Sequence, residues 1–119
     1  MKNYHAHVYF PLSEWDKAEE FYSLALSKSE FSFCKIYDRA VGPHPLPMIE
    51  LHFKENFLES SRTWLEVHRN LFSILIHIDT GDDVKDHSEN IEWLGAPLKI
   101  DFSFFELIKT QPHLKVHPD

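Results

Sequence analysis

Nine histidines in a chain of 119 residues are the side chains here best suited to chemistry. Imidazole is the commonest protein metal ligand and the usual acid or base near neutral pH. The nine run from His5 to His117 rather than forming a terminal tract. His5 and His7 alternate within YHAHVYF (4–10), a segment of strand-forming residues. Residues two apart on a strand share a face and lie ~6.6 Å apart, so both rings can reach one ion. With a third ligand from a neighbouring strand, an H-x-H pair makes a plausible metal site. Two histidines with a carboxylate suit non-haem Fe(II), and three histidines suit Zn as well. Cys34, the only cysteine, lies in an apolar alternating run with Phe31, Phe33 and Ile36. It reads as a packed thiol rather than a nucleophile. No glycine-rich phosphate loop, P-loop lysine or Ser/His/Asp signature is present.

The elements that would position these histidines follow from hydrophobic periodicity. Tyr4–Phe10 predicts a strand ended by Pro11, and Ser13 offers an N-cap to a helix over Glu14–Ser27 with Trp15, Ala18, Phe21, Tyr22 and Ala25 on one face. Phe31–Tyr37 predicts a second strand. The proline-rich run VGPHPLP (41–47) is a loop, Met48–Phe53 a third strand, Asn56–Arg69 a second helix and Phe72–Ile78 a fourth strand. Asp86–Leu94 reads as a short helix stopping at Gly95. Leu98, Ile100, Phe102 and Phe104 allow a fifth strand or an extended tail. The order β-α-β-β-α-β is the ferredoxin-like pattern, an α+β fold with strand order 4-1-3-2, two helices on one face and the other face open.

Alternation then sorts side chains between the two faces. Ala6, Val8 and Phe10 belong with Ile49, Leu51, Phe53 and the set Phe72, Ile74, Ile76, Ile78 under the helices. His5, His7 and Tyr9 fall on the other face, with Met48, Glu50, His52, Ser73, Leu75 and His77. Antiparallel pairing brings His77 beside His5 and His7, Glu50 near His7, and His52 near His5. His87 follows the fourth strand closely enough to fold back over the same end. His44 is the awkward case: about eight residues, or ~26 Å if extended, separate it from His52. It enters the site only if the VGPHP loop curls over the sheet or a second chain donates it. His113 and His117 sit in a polar tail and read as solvated. Taken singly, a histidine on an exposed sheet face is an ordinary solvated or interface residue. Their convergence is what suggests a ligand set.

Composition bounds the rest. A length of 119 residues suits one domain (1–119), and 43% hydrophobic content is enough to build its core. A net charge of −7 with scattered Lys and Arg argues against nucleic acid and against a polybasic membrane patch. No stretch approaches the ~20 apolar residues of a membrane helix, and MKNYHAH carries no apolar signal segment. With one cysteine and no internal disulfide, the chain reads as cytoplasmic. An open sheet face on a small acidic protein suggests a homodimer.

Six segments together carry a resemblance: YHAHVYF (4–10), VGPHP (41–45) with Met48, Trp64-Leu65 followed by Arg69, ILIH (74–77), TGDDVKDH (80–87) and WLG (93–95). In this order and spacing the chain resembles the DOPA 4,5-dioxygenase family over residues 4–101, leaving 102–119 as a tail. The resemblance implies a small ferredoxin-like domain that performs extradiol cleavage of catechols such as DOPA, chemistry that leads to betalain- or muscaflavin-type pigments in fungi. It carries His5, His7, His44, His77, His87 and Arg69 over as functional candidates. His52 and His68 match no family histidine. Ile78 stands where proline is usual and Glu50 where glutamine is usual, and a carboxylate at position 50 leaves the ligand set open.

The expected activity is therefore O2-dependent ring cleavage of a small catechol. His5, His7 and His77 would hold Fe(II), with Zn also compatible. His44 or His87 would take and return a proton, Arg69 would pair with a substrate carboxylate, and Tyr9 would line the ring pocket or pack a dimer. The alternatives are a dimeric binding module whose histidines are structural or hold Zn without turnover, and a Zn-assisted hydrolase.

Overall fold

The computed structural model describes residues 1–114, so the reading of His117 lies outside the described residues. The sheet is built from β1 (Asn3–Tyr9), β2 (Phe33–Tyr37), β3 (Met48–Lys54), β4 (Ser73–Asp79) and β5 (Glu92–Leu94). Its order is β2-β3-β1-β4-β5, and every neighbouring pair is antiparallel. The first four strands keep the ferredoxin-like order, and β5 adds an edge strand beside β4. The order follows from β1, which alternates strictly and is buried from Ala6 to Tyr9 on both faces. Such a strand is stable only at the sheet centre, with a partner on either side.

Two helices, α1 (Trp15–Leu26) and α2 (Leu58–His68), cover one face. Each is entered through a 3-10 turn, Leu12–Glu14 and Glu55–Phe57. Ser13 therefore sits inside a turn and does not cap α1 as expected. Ala18, Phe21, Ala25 and Leu65 meet Ala6, Val8, Phe10, Ile49, Leu51, Phe53, Phe72, Ile74 and Ile76 in the main core. Trp64 packs edge-on to Phe21 and Phe31, with ring centroids 5.3 and 5.4 Å away. Burying a side chain the size of Leu65 or Phe10 stabilises the fold by about 1.5–3 kcal/mol. Cys34 is half-buried against the Ala25 carbonyl, and burial pushes its thiol pKa up, as befits a packing residue.

The opposite face carries a second apolar cluster of Tyr9, Met48, Leu75 and Ile100, with Tyr37, Val41, Leu46, Ile91, Trp93 and Leu98 around it. This face is histidine-lined, as alternation requires. It is also covered by the chain itself, through the 41–47 loop and the segment from 98 onward. Two expectations are corrected here. The region read as one helix over Asp86–Leu94 is a short helix α3 (Asp83–Asp86) followed by β5. Asp82 caps α3 by accepting from the Lys85 N–H, and Asn90 at φ +53° breaks any continuation. The apolar alternation Leu98–Phe104 forms no strand. It leads into α4 (Ser103–Thr110), whose Phe105 is buried. A short alternation fits one face of either element, and β5 already occupies the sheet edge beside β4. No helix among the described residues is long and apolar enough to cross a membrane.

Candidate active site

Strand register sets the site. His5 pairs with His52 on one side and His77 on the other, while His7 lies opposite Glu50 and Leu75. Position 5 thus gathers three histidines from three strands in one row. His7 is fully buried, and His5, His44, His77 and His87 are each no more than 4% exposed. Five buried histidines need a reason to be there, because each carries a polar edge into the interior.

Their contacts orient the rings toward one another. His7 Nε2 and His77 Nε2 lie 3.0 Å apart. The His77 Nδ1–H donates to the Ile78 carbonyl at 2.9 Å, which leaves the lone pair of the neutral ring on Nε2. His87 repeats the arrangement: its Nδ1–H donates to the Asp83 carbonyl at 2.7 Å. A ring nitrogen fixed by a backbone carbonyl, with the other turned inward, is how proteins orient metal-binding histidines. Two nitrogens bound to one ion at ~2.1 Å stand ~3.0 Å apart at a right angle and ~3.4 Å at a tetrahedral angle, so the His7–His77 spacing fits a shared ion.

Three donor groups overlap in this layer, each with ligand atoms within 4.8 Å of one another: His5 with His7 and His77, His7 with His44 and His87, and His5 with Glu50 and His52. His7 joins the first two, and its Nδ1 is buried without a hydrogen-bond partner among the described residues. Burial and the neighbouring histidines hold its pKa well below the usual range, with His44 the strongest neighbour. It is therefore neutral at pH 7, the state a ligand requires. All-nitrogen and mixed nitrogen–carboxylate donor sets of this kind fit a divalent transition metal.

His44 is settled by the loop. The 41–47 segment curls over the sheet, so His44 comes from the same chain and its ring lies 4.2 Å from that of His7. Tyr9 and His44 Nδ1 are hydrogen-bonded at 2.7 Å. Burial pushes the Tyr9 phenol pKa well up, so the hydroxyl stays protonated and donates to Nδ1. His87 reaches the site because Asp86, buried beneath it, accepts from the Thr80 N–H at 2.8 Å and also from the Thr80 hydroxyl. That clamp turns the chain after β4 back over its own end. The His87 ring lies 4.4 Å from His77 and 5.3 Å from Phe105.

Other expectations fare differently. Arg69 is not brought to the histidines. It caps α2, pairs with Glu66 and donates from Nη1 to the Phe72 carbonyl. Phe72 is five residues from His77, about 17 Å along an extended strand. His68 hydrogen-bonds the Trp64 carbonyl on the helical side, away from the cluster, and His113 is exposed. His52, which matched no family histidine, nevertheless stacks on His5 at 3.8 Å and stands 3.4 Å from Glu50. Sequence reasoning missed Asp79, 3.4 Å from His5 Nε2, and the covering residues Ile100 and Phe105. Asp79 could have been found from strand register. Nothing local to 98–105 predicted that it would fold over the histidines.

The chain is similar to known proteins in sequence and in fold. A sequence model of the Dopa 4,5-dioxygenase family matches residues 4–104. An uncharacterised 21.2 kDa protein of Botryotinia fuckeliana is 30% identical over 95 residues, covering 71% of this chain and 52% of that protein. The chain thus spans about half the length of the curated relative it matches. A crystal structure of a candidate dioxygenase from Nostoc punctiforme superposes with a TM-score of 0.83 at 32% identity, over 91% of this chain and 94% of that one.

Proposed function

The chain belongs to the Dopa 4,5-dioxygenase family, and on that basis we propose that it is an Fe(II)-dependent extradiol dioxygenase that opens the ring of a small catechol. The observation that carries this reading is the buried His7–His77 pair, with Nε2 atoms 3.0 Å apart and the far side of His77 tied to the backbone. His7, His77 and His5 would hold the metal. Once bound, Fe(II) would lower the pKa of a coordinated phenol and bring catechol and O2 together.

The remaining work falls to this chain's own side chains. His87, with its proton on Nδ1, offers Nε2 as the acceptor for a phenolic proton. His44 receives the Tyr9 hydrogen bond at Nδ1, so in the neutral ring its proton sits on Nε2, ready to be donated to developing negative charge. The two histidines thus take complementary acid and base roles. Tyr9 orients His44 rather than contacting the ring carbons. The cover of Leu46, Ile100 and Phe105 keeps bulk water away from the reacting atoms. Overall, one ring carbon–carbon bond beside the diol breaks, and both atoms of O2 enter the product.

One observation favours a second ligand set. Glu50, His5 and His52 form the only two-histidine, one-carboxylate group among the described residues, a donor combination that also suits Fe(II). The sets separate cleanly. Glu50→Gln keeps iron if His5, His7 and His77 bind it, and loses iron if Glu50 is a ligand. The activity itself is tested by oxygen uptake: iron-reconstituted protein given a panel of catechols should consume O2 and form a yellow ring-opened product. Bound iron without uptake on any catechol would overturn the assignment.

A further inference from the structure

A cavity of about 390 Å3 opens beside the histidine layer, with His87 in its wall. Trp93, Ile91, Leu98 and Ile100 give it an apolar lining. The Trp93 ring lies tilted 5.9 Å from that of Tyr9, and the His87 ring 4.4 Å from that of His77, so the cavity adjoins the candidate metal ligands. A pocket of this size with one or two convergent polar groups suits a single aromatic ring.

Among the described residues the cavity lining carries one lysine and no carboxylate. Lys99 is exposed, lines the cavity and makes no ion pair among the described residues. Arg69, the cation first expected to meet a substrate carboxylate, is committed to Glu66 and the Phe72 carbonyl at the other end of β4.

We propose that this cavity binds the substrate ring and that Lys99 selects an anionic catechol acid, one bearing a carboxylate and no ammonium group. This rests on the dioxygenase reading for the identity of the ring as a catechol. A carboxylate extending from the ring would meet Lys99. An α-ammonium beside that carboxylate, as in DOPA, would find no acidic partner in the cavity lining and would face the like charge of Lys99. The family's eponymous substrate is then a poor fit for this chain.

The test measures binding without oxygen and turnover with it, so the two readings fail separately. Iron-loaded protein under nitrogen is titrated calorimetrically with dihydroxyphenylpropanoate, DOPA and ethylcatechol, which share one skeleton and differ in charge. The propanoate is expected to bind about fivefold tighter than either of the others, the scale of one solvent-accessible ion pair. Lys99→Gln should bring the three affinities together while leaving ethylcatechol unchanged. Equal affinities in the wild type, a preference that survives in Lys99→Gln, or binding of none of the three would overturn the proposal. Admitting oxygen then reports on the dioxygenase reading alone: selective binding without uptake would remove the activity and leave the binding site.

Discussion

His7 and His77 face each other across neighbouring central strands with their Nε2 atoms 3.0 Å apart, although 70 residues separate them in the chain. Two neutral imidazoles can share one proton at that distance, or both can present lone pairs to an ion. In the ion-binding reading, His77→Ala and His7→Ala each lose stoichiometric iron and ring-cleaving activity together. His68→Ala, on the helical side, should leave both intact. Metal analysis of the folded variants checks this, and iron retained in His77→Ala would exclude His77 as a ligand.

His87 and His44 are assigned to proton handling rather than to metal retention. His87→Gln should keep its iron and its affinity for catechol while turnover falls by about 10²–10⁴-fold, the usual loss for a missing general base. Single-turnover rates on the iron-loaded variants read this directly. A variant that loses iron would instead transfer His87 to the ligand set.

Tyr9→Phe removes a buried hydrogen bond to His44. The expected stability loss is about 1 kcal/mol. Turnover should fall further than that loss implies, because the proton of His44 is no longer confined to one nitrogen. Denaturant unfolding and kcat measured together separate the two effects.

The low pKa of His7 makes stability depend on pH in a defined direction. The folded protein resists protonating this ring, whereas the unfolded chain takes up a proton near 6.5. The unfolded state therefore binds more protons below that value, and stability falls as pH drops through 6.5. The loss continues until the depressed folded value is reached, at about 1.4 kcal/mol per pH unit for one such group. Melting curves of metal-free protein between neutral and mildly acidic pH should show the decline, and a flat profile would contradict it.

Gly95 offers a test of the scaffold. It sits at φ +78°, and an added Cβ would approach Arg69 Nη1 to 2.6 Å and the Phe72 carbonyl to 3.2 Å. Gly95→Ala is expected to cost about 1–2 kcal/mol from backbone strain alone, with crowding added. The melting temperature should fall while iron binding persists, because Arg69 and Gly95 lie at the end of β4 away from His77.

Much of this was legible in the sequence because strand alternation is a strong constraint. Once β1 is a central strand, His5 and His7 must share a face with Glu50, His52 and His77, and antiparallel pairing fixes their neighbours. What alternation cannot convey is how loops cover a face. His44 enters because a proline-rich loop curls back over the sheet, a choice made by packing of Val41 and Leu46 rather than by local propensity. The 98–105 segment offered a short alternating run that suits a strand or a helix, and burial of Phe105 against His87 decided it. Arg69 shows the opposite limit. Its motif matched, yet a helix C-terminus on the far side of the sheet keeps it from the histidines.

The most direct measurement is the fate of oxygen. Iron-loaded protein is supplied with a catechol acid under heavy-isotope O2, and the ring-opened product is weighed by mass spectrometry. Both heavy atoms are expected in one yellow product, formed by wild type and absent with His7→Ala and His77→Ala. A product carrying one heavy atom or none, or a yield unchanged in those variants, would contradict dioxygenase chemistry at this histidine site.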